Sequence, residues 1–166
     1  CAPARRRGRP PALWRRPLRQ VDPESAAYNL AGALRVLSPL DVPALQRAFQ
    51  QLVKRHVSLR TTFPSHDGEP AVSVNEDVEV NFIVHDSSAW DDAAVSQYLT
   101  DEAHRPFDLE AGPLLRVRLL SRSGQDPVLL LCLHHIIADQ WSLAVLLNEL
   151  GVLYEAECTG ALVTLP

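Results

Sequence analysis

Six residues, Val128-Leu-Leu-Leu-Cys-Leu133, carry no polar side chain on either face and run directly into His134-His135. An apolar stretch of that length, flanked by turn residues, is a β-strand buried on both sides. A strand buried on both sides needs a layer of helices above and below its sheet, so the chain must fold as a layered α/β structure.

The remaining periodicities supply those layers. A weakly alternating stretch at 28–36 reads as a first strand, and Asp41 caps a helix over 42–57 with Pro43 in its first turn. Residues 60–63 form a short β-like run, followed by turn chemistry at Asp67-Gly68. Strands are expected at 71–74 and 78–85, paired as a meander. A helix capped at 86–88 should run over 90–104, and strands at 114–120 and 127–135 should lie antiparallel across the loop Ser121-Arg-Ser-Gly-Gln-Asp126. Asp139 caps a last helix over 141–157 that closes near Gly160. The order β, α, β, β, β, α, β, β, α predicts an α/β (α+β) sandwich with a mixed, largely antiparallel sheet and covering helices. With 46% hydrophobic residues in 166, the chain can build one core, expected over 22–166.

Residues 1–21 are different. Arg5, Arg6, Arg7, Arg9, Arg15, Arg16 and Arg19 supply seven of the 16 basic residues before the first acid, Asp22, leaving nine basic residues against 20 acidic ones in the body. These arginines alternate with Pro, Ala and Gly without aromatic interleaving, so the segment is read as disordered or irregular, and nucleic acid is not an expected partner. No apolar run reaches the roughly 18 residues of a membrane span. Cys1, Cys132 and Cys158 are too few and too scattered for a disulfide framework or a thiolate metal site, which fits a reducing, cytoplasmic setting and no bound metal. The sequence lacks methionine and opens at Cys1, as a piece of a longer polypeptide would.

The chemistry is expected at His134-His135-Ile-Ile-Ala-Asp139, where two imidazoles end a buried strand and a carboxylate opens a helix. Strand ends feeding loops are where α/β folds place their sites. Neighbouring strand residues face opposite ways, so His134 falls on the side of Cys132 and His135 on the side of Leu131 and Leu133. Two uses are open: satisfied strand-end histidines with Asp139 as a cap, or one imidazole in a cleft handling a proton. Ser142 lies too close in sequence to Asp139 for a Ser-His-Asp relay and reads as a first-turn polar residue. Buried Cys132 is inert. At the end of the first helix, Lys54, Arg55 and His56 complement the helix dipole. Arg60 stands in a short β segment, where an inward guanidinium calls for a carboxylate.

Taken together, Asp22-Pro-Glu-Ser-Ala-Ala-Tyr-Asn29, Pro39-Leu-Asp-Val-Pro-Ala-Leu45, Arg55-His-x-x-Leu-Arg-Thr-Thr-Phe63 and Leu133-His-His-Ile-Ile-Ala-Asp-Gln-Trp-Ser142 resemble the amino-terminal half of a condensation domain of nonribosomal peptide synthetases. The resemblance implies a chloramphenicol-acetyltransferase-like lobe, with a second lobe and an adenylation domain in the parent chain. It also implies peptide-bond formation between a donor thioester and an acceptor aminoacyl thioester, in the service of antibiotic or other secondary-metabolite biosynthesis. Both substrates would ride on the phosphopantetheine arms of carrier proteins, with no cofactor bound directly. By the same resemblance, His135 matches the histidine that positions or deprotonates the acceptor amine. Asp139 matches an aspartate with an architectural ion-pair role, and Arg60 the arginine of the earlier motif. Arg55 and His56 belong to that motif too. Gln140 occupies the family's glycine position and, with Trp141 and Ser142, is expected to line or narrow the channel. The first family motif is reduced to Leu13-Trp14. Alternatives are a stand-alone acyl-CoA-dependent acyltransferase of the same superfamily and a non-catalytic remnant that docks carrier proteins. The lobe alone is expected to be inactive.

Overall fold

The structure, a computed structural model, describes residues 6–8, 25–66, 69–163 and 165. In chain order the strands are β1 (Arg6–Gly8), β2 (Asn29–Arg35), β3 (Thr61–Thr62), β4 (Ser65–His66), β5 (Glu69–Pro70), β6 (Val72–Val74), β7 (Asn81–Asp86), β8 (Leu115–Ser121) and β9 (Val128–His134). The helices are α1 (Val42–Arg55), α2 (Asp92–His104) and α3 (Gln140–Thr159), with a 3-10 turn at Val57–Arg60.

The apolar run is β9, every residue of which is buried. It lies inside a four-stranded mixed sheet of order β2-β9-β8-β7, antiparallel to both neighbours, while β8 and β7 are parallel. Helices α1 and α3 cover one face. Their buried stripes, Leu45, Phe49, Leu52 and Val53 on α1 with Leu146, Leu150 and Leu153 on α3, join Val117, Leu119, Leu131 and Leu133 in one core. Each such side chain stabilises the fold by about 1.5–3 kcal/mol on burial. Helix α2 covers the other face, with Val95 against Leu120 and Val128.

Each of these helices starts on an aspartate that accepts an amide three residues on: Asp41 from Ala44, Asp91 from Ala94 and Asp139 from Ser142. Gly160, at φ 71°, ends α3 in the left-handed conformation that glycine adopts most readily.

Several expectations change. The strands at 72–74 and 81–86 do not form a meander: β6 pairs with β3 and β1, and β7 pairs in parallel with β8. The parallel pair needs a crossover, and α2 is that crossover. Residues 78–80 are not strand. They are pinned to α1 by Gln50, whose Nε2 donates to the Val78 carbonyl at 2.8 Å while its Oε1 accepts the Val80 N–H at 3.0 Å. Helix α2 is capped by Asp91 and begins at Asp92, not capped at 86–88 and begun at 90, because Asp86 accepts the Ser88 N–H in a local turn. Arg60 closes the 3-10 turn, leaving only Thr61–Thr62 as strand. Within the basic segment read as irregular, Arg6–Gly8 pair antiparallel with Val72–Val74. Leu13-Trp14, the rest of that segment and the Asp67-Gly68 turn lie outside the described residues.

Candidate active site

At the end of β9 the two histidines separate. His134 is 2% exposed and His135 is exposed. His134 is the last strand residue and lies opposite Asn29 in the β2 register. Its ring neighbours Tyr28, with centroids 6.1 Å apart, and Phe107, 6.3 Å away and nearly perpendicular. Its Nδ1 accepts the Ile136 N–H at 3.2 Å, so the neutral ring carries its proton on Nε2. Burial, reinforced by the charge of His135, holds its pKa below the usual histidine value.

The chain turns at once. The Ile137 N–H returns to the His134 carbonyl at 3.0 Å, and the His135 N–H donates to the Tyr28 carbonyl at 2.8 Å. Ile136, Ile137 and Ala138 are buried, so the turn is anchored in the core and His135 is the residue it presents. Asp139 comes next, as N-cap. Its Oδ1 accepts both the N–H and the hydroxyl of Ser142, each at 2.7 Å, and these donors lower its pKa. Gln140 and Trp141 open α3 on the surface, Trp141 at 79% exposure. A side chain with acid-base capacity thus stands on a turn anchored in the core, just before an exposed helix start. That arrangement can orient an incoming nucleophile and accept its proton.

The condensation-domain family model matches residues 15–166. The chain belongs to that family. It is 42% identical over 147 residues to a linear gramicidin synthase of Brevibacillus parabrevis, a match covering 86% of this chain and 2% of that protein. Among solved structures, the starter condensation domain of rhizomide synthetase shares the fold at a TM-score of 0.80 and 22% identity, over 93% of this chain and 37% of that one. The epimerization domain from the third module of tyrocidine synthetase B matches at a TM-score of 0.75 and 26% identity, over 85% of this chain and 34% of that one. The chain therefore spans a few per cent of the gramicidin synthase and just over a third of the condensation domain structure.

In this condensation-domain chain, the Arg-His of the earlier motif does not end at the helix dipole. His56 Nε2 lies 2.6 Å and Arg55 Nε 3.2 Å from the same Glu149 oxygen on α3, so the motif ties the end of α1 to the helix that Asp139 caps. The carboxylate expected for Arg60 is absent: among the described residues its side chain donates to the Asn75 carbonyl at 2.7 Å, and its buried Nε has no partner. Asn75 faces Arg60 because its own N–H returns to the Arg60 carbonyl at 2.9 Å, locking the two backbones together. Nor does Asp139 form, among the described residues, the ion pair that the resemblance implied; Ser142 holds it.

The buried ion pairs lie elsewhere. Glu102, on α2, is 2.8 Å from Arg118 and 3.8 Å from Arg116, both of them buried strand residues of β8. Sequence reasoning passed over Tyr28, Phe107, Arg116, Glu102 and Glu149. Two arginines alternating with Leu115, Val117 and Leu119 were a signal, since a charge on the inward face of a covered strand demands a partner.

Proposed function

We propose that the chain carries the histidine face of a peptide-bond-forming condensation centre, with His135 addressing the acceptor amine. The observation that carries this reading is the separation of the two histidines: the turn buries every side chain of residues 134–138 except His135. In the reaction, the amine lone pair attacks the donor thioester carbonyl, the C–S bond breaks, the thiol leaves and the amine gives up a proton. A neutral imidazole at His135 accepts a hydrogen bond from the attacking N–H and orients it. Holding both reactants close supplies much of the remaining rate.

The relatives' names support synthetase partners. Donor and acceptor are read as thioesters on the phosphopantetheine arms of carrier proteins, and the parent chain as a cytoplasmic synthetase holding a second lobe and an adenylation domain. No helix of the described residues is long and apolar enough to cross a membrane. The test is single-turnover reaction of the complete parent domain with carrier-bound donor and acceptor, followed by mass spectrometry of the carriers. The proposal expects an amide product on the acceptor carrier. Transfer only from acyl-CoA to a hydroxyl, or carrier binding without transfer, would replace it with one of the two alternatives.

A further inference from the structure

The last turn of α2 is capped from the sheet. Asn29 Nδ2 donates to the Ala103 carbonyl at 2.9 Å and the Arg105 carbonyl at 3.0 Å. From the other side, Arg116 Nη1 donates to the Glu102 carbonyl at 3.2 Å, and Nη2 donates to Arg105 at 2.9 Å and Pro106 at 3.4 Å. These two residues stand on β2 and β8, the strands that flank His134. The segment they fix leads into Phe107, which is 6% exposed. The Arg116 guanidinium lies 4.2 Å over the Phe107 ring, which stands nearly perpendicular to the His134 ring.

We propose that Arg116 is a positioning residue for the His134-His135 turn, acting through Phe107 and the last turn of α2. This rests on the reading of His135 above. Charge neutralisation alone does not explain Arg116. Arg118 holds Glu102 at 2.8 Å, whereas Arg116 stays at 3.8 Å and spends its hydrogen bonds on three backbone carbonyls of the Phe107 approach. A guanidinium fits this task because it can donate in several directions in one plane while stacking on an aromatic face. Phe107 and Tyr28 both neighbour the His134 ring, and the His134 Nδ1 fixes Ile136 and with it the turn that presents His135. Arg118 is the internal control: it is equally buried and shares the carboxylate, but its other bonds include those to Asn81 and the Val117 carbonyl and, among the described residues, none to the carbonyls of the Phe107 approach.

The experiment compares the imidazole tautomer of His134 and the Ile136 amide shift, by long-range proton–nitrogen correlation on the labelled chain, in wild type, Arg116→Met, Phe107→Leu and Arg118→Met. The proposal expects a single Nε2–H tautomer for His134 in wild type and Arg118→Met. It expects a displaced Ile136 amide and a mixed His134 tautomer in Arg116→Met and Phe107→Leu. In the complete domain, Phe107→Leu should lower the single-turnover condensation rate between about tenfold and a hundredfold with the acceptor KM unchanged. Should Arg116→Met not fold, Arg116→Lys, which keeps the charge but loses the planar set of donors, carries the test. Unchanged His134 and Ile136 signals in a folded Arg116 variant, or changed signals with an unchanged rate, overturn the proposal. Full condensation by His135→Ala would instead overturn the reading of His135, leaving the spectroscopic coupling as a structural fact.

Discussion

His56 Nε2 lies 2.6 Å from Glu149 Oε2, joining the end of α1 to the middle of α3. Arg55 shares that oxygen at 3.2 Å. The Arg-His dipeptide of one motif therefore holds the helix that begins at the aspartate of the other, 83 residues away by sequence from His56 to Asp139.

Glu149→Gln should remove the carboxylate that the Arg55 guanidinium and the His56 imidazole share. Breaking a fully buried pair costs about 3–5 kcal/mol, but the Arg55 side chain is 37% exposed, so a loss of about 2 kcal/mol is expected. Urea denaturation checks this. A change under about 0.5 kcal/mol would mean that the clamp contributes nothing net.

Glu102→Gln should cost more, about 3–5 kcal/mol, since it strands Arg116 and Arg118 under α2 with side chains 4% and 3% exposed. Replacing Glu102, Arg116 and Arg118 together by apolar residues should recover only part of that loss, because the desolvation penalty of the ions goes with them but the carbonyls of Glu102, Arg105 and Pro106 lose the Arg116 donors. Thermal melting of the single and triple variants separates the two effects.

The depressed pKa of His134 has a definite sign. Its unfolded value is about 6.5 and its folded value lies lower, so between them the unfolded chain binds the extra proton. The contribution of His134 is therefore complete above about pH 6.5 and declines as the pH falls toward the folded value. His134→Gln should flatten the acid side of the stability profile relative to wild type. A wild-type-minus-variant difference that is the same at pH 5 and pH 8 would show that His134 is not buried as the neutral ring.

Asp139 works in the same sense, except that folding favours its charged form where it favours the neutral form of His134. The Ser142 donors hold its folded pKa below the unfolded carboxylate value of about 3.9, so the cap's benefit is present above that value and fades as the pH drops through the lower one. Asn also caps helices well, so Asp139→Asn should melt near wild type and Asp139→Ala below it. A well-folded Asp139→Asn domain with no turnover would show that the charge takes part in the reaction.

The covered sheet, its covering helices and the placement of the histidines were legible because each depends on local pattern. Val128 to Leu133 can only be a central strand, and Asp41 and Asp139 announce their helices by the helically spaced apolar residues after them. Pairing was less legible. Residues 72–74 and 81–86 read as neighbours because a short gap usually means a hairpin, but Gln50 holds the intervening backbone on α1 and α2 carries the chain over to a parallel partner. Ion-pair partners were hidden for the same reason. Arg60 finds the Asn75 carbonyl, and Arg55 finds Glu149, 94 residues on, by tertiary packing that no local spacing encodes.

His135 is the residue on which the proposed chemistry turns, as the group that meets the acceptor amine. The direct measurement is single-turnover condensation by the complete parent domain carrying His135→Ala or His134→Ala, each with its melting temperature. His135→Ala should keep the wild-type melting temperature and lose at least about a hundredfold in rate, the scale of a general acid-base residue. His134→Ala should melt lower and, with the Nδ1 hold on Ile136 gone, lose about tenfold to a hundredfold in rate as well. Equal losses of rate from both variants at unchanged melting, or a fully active His135→Ala, would contradict the account.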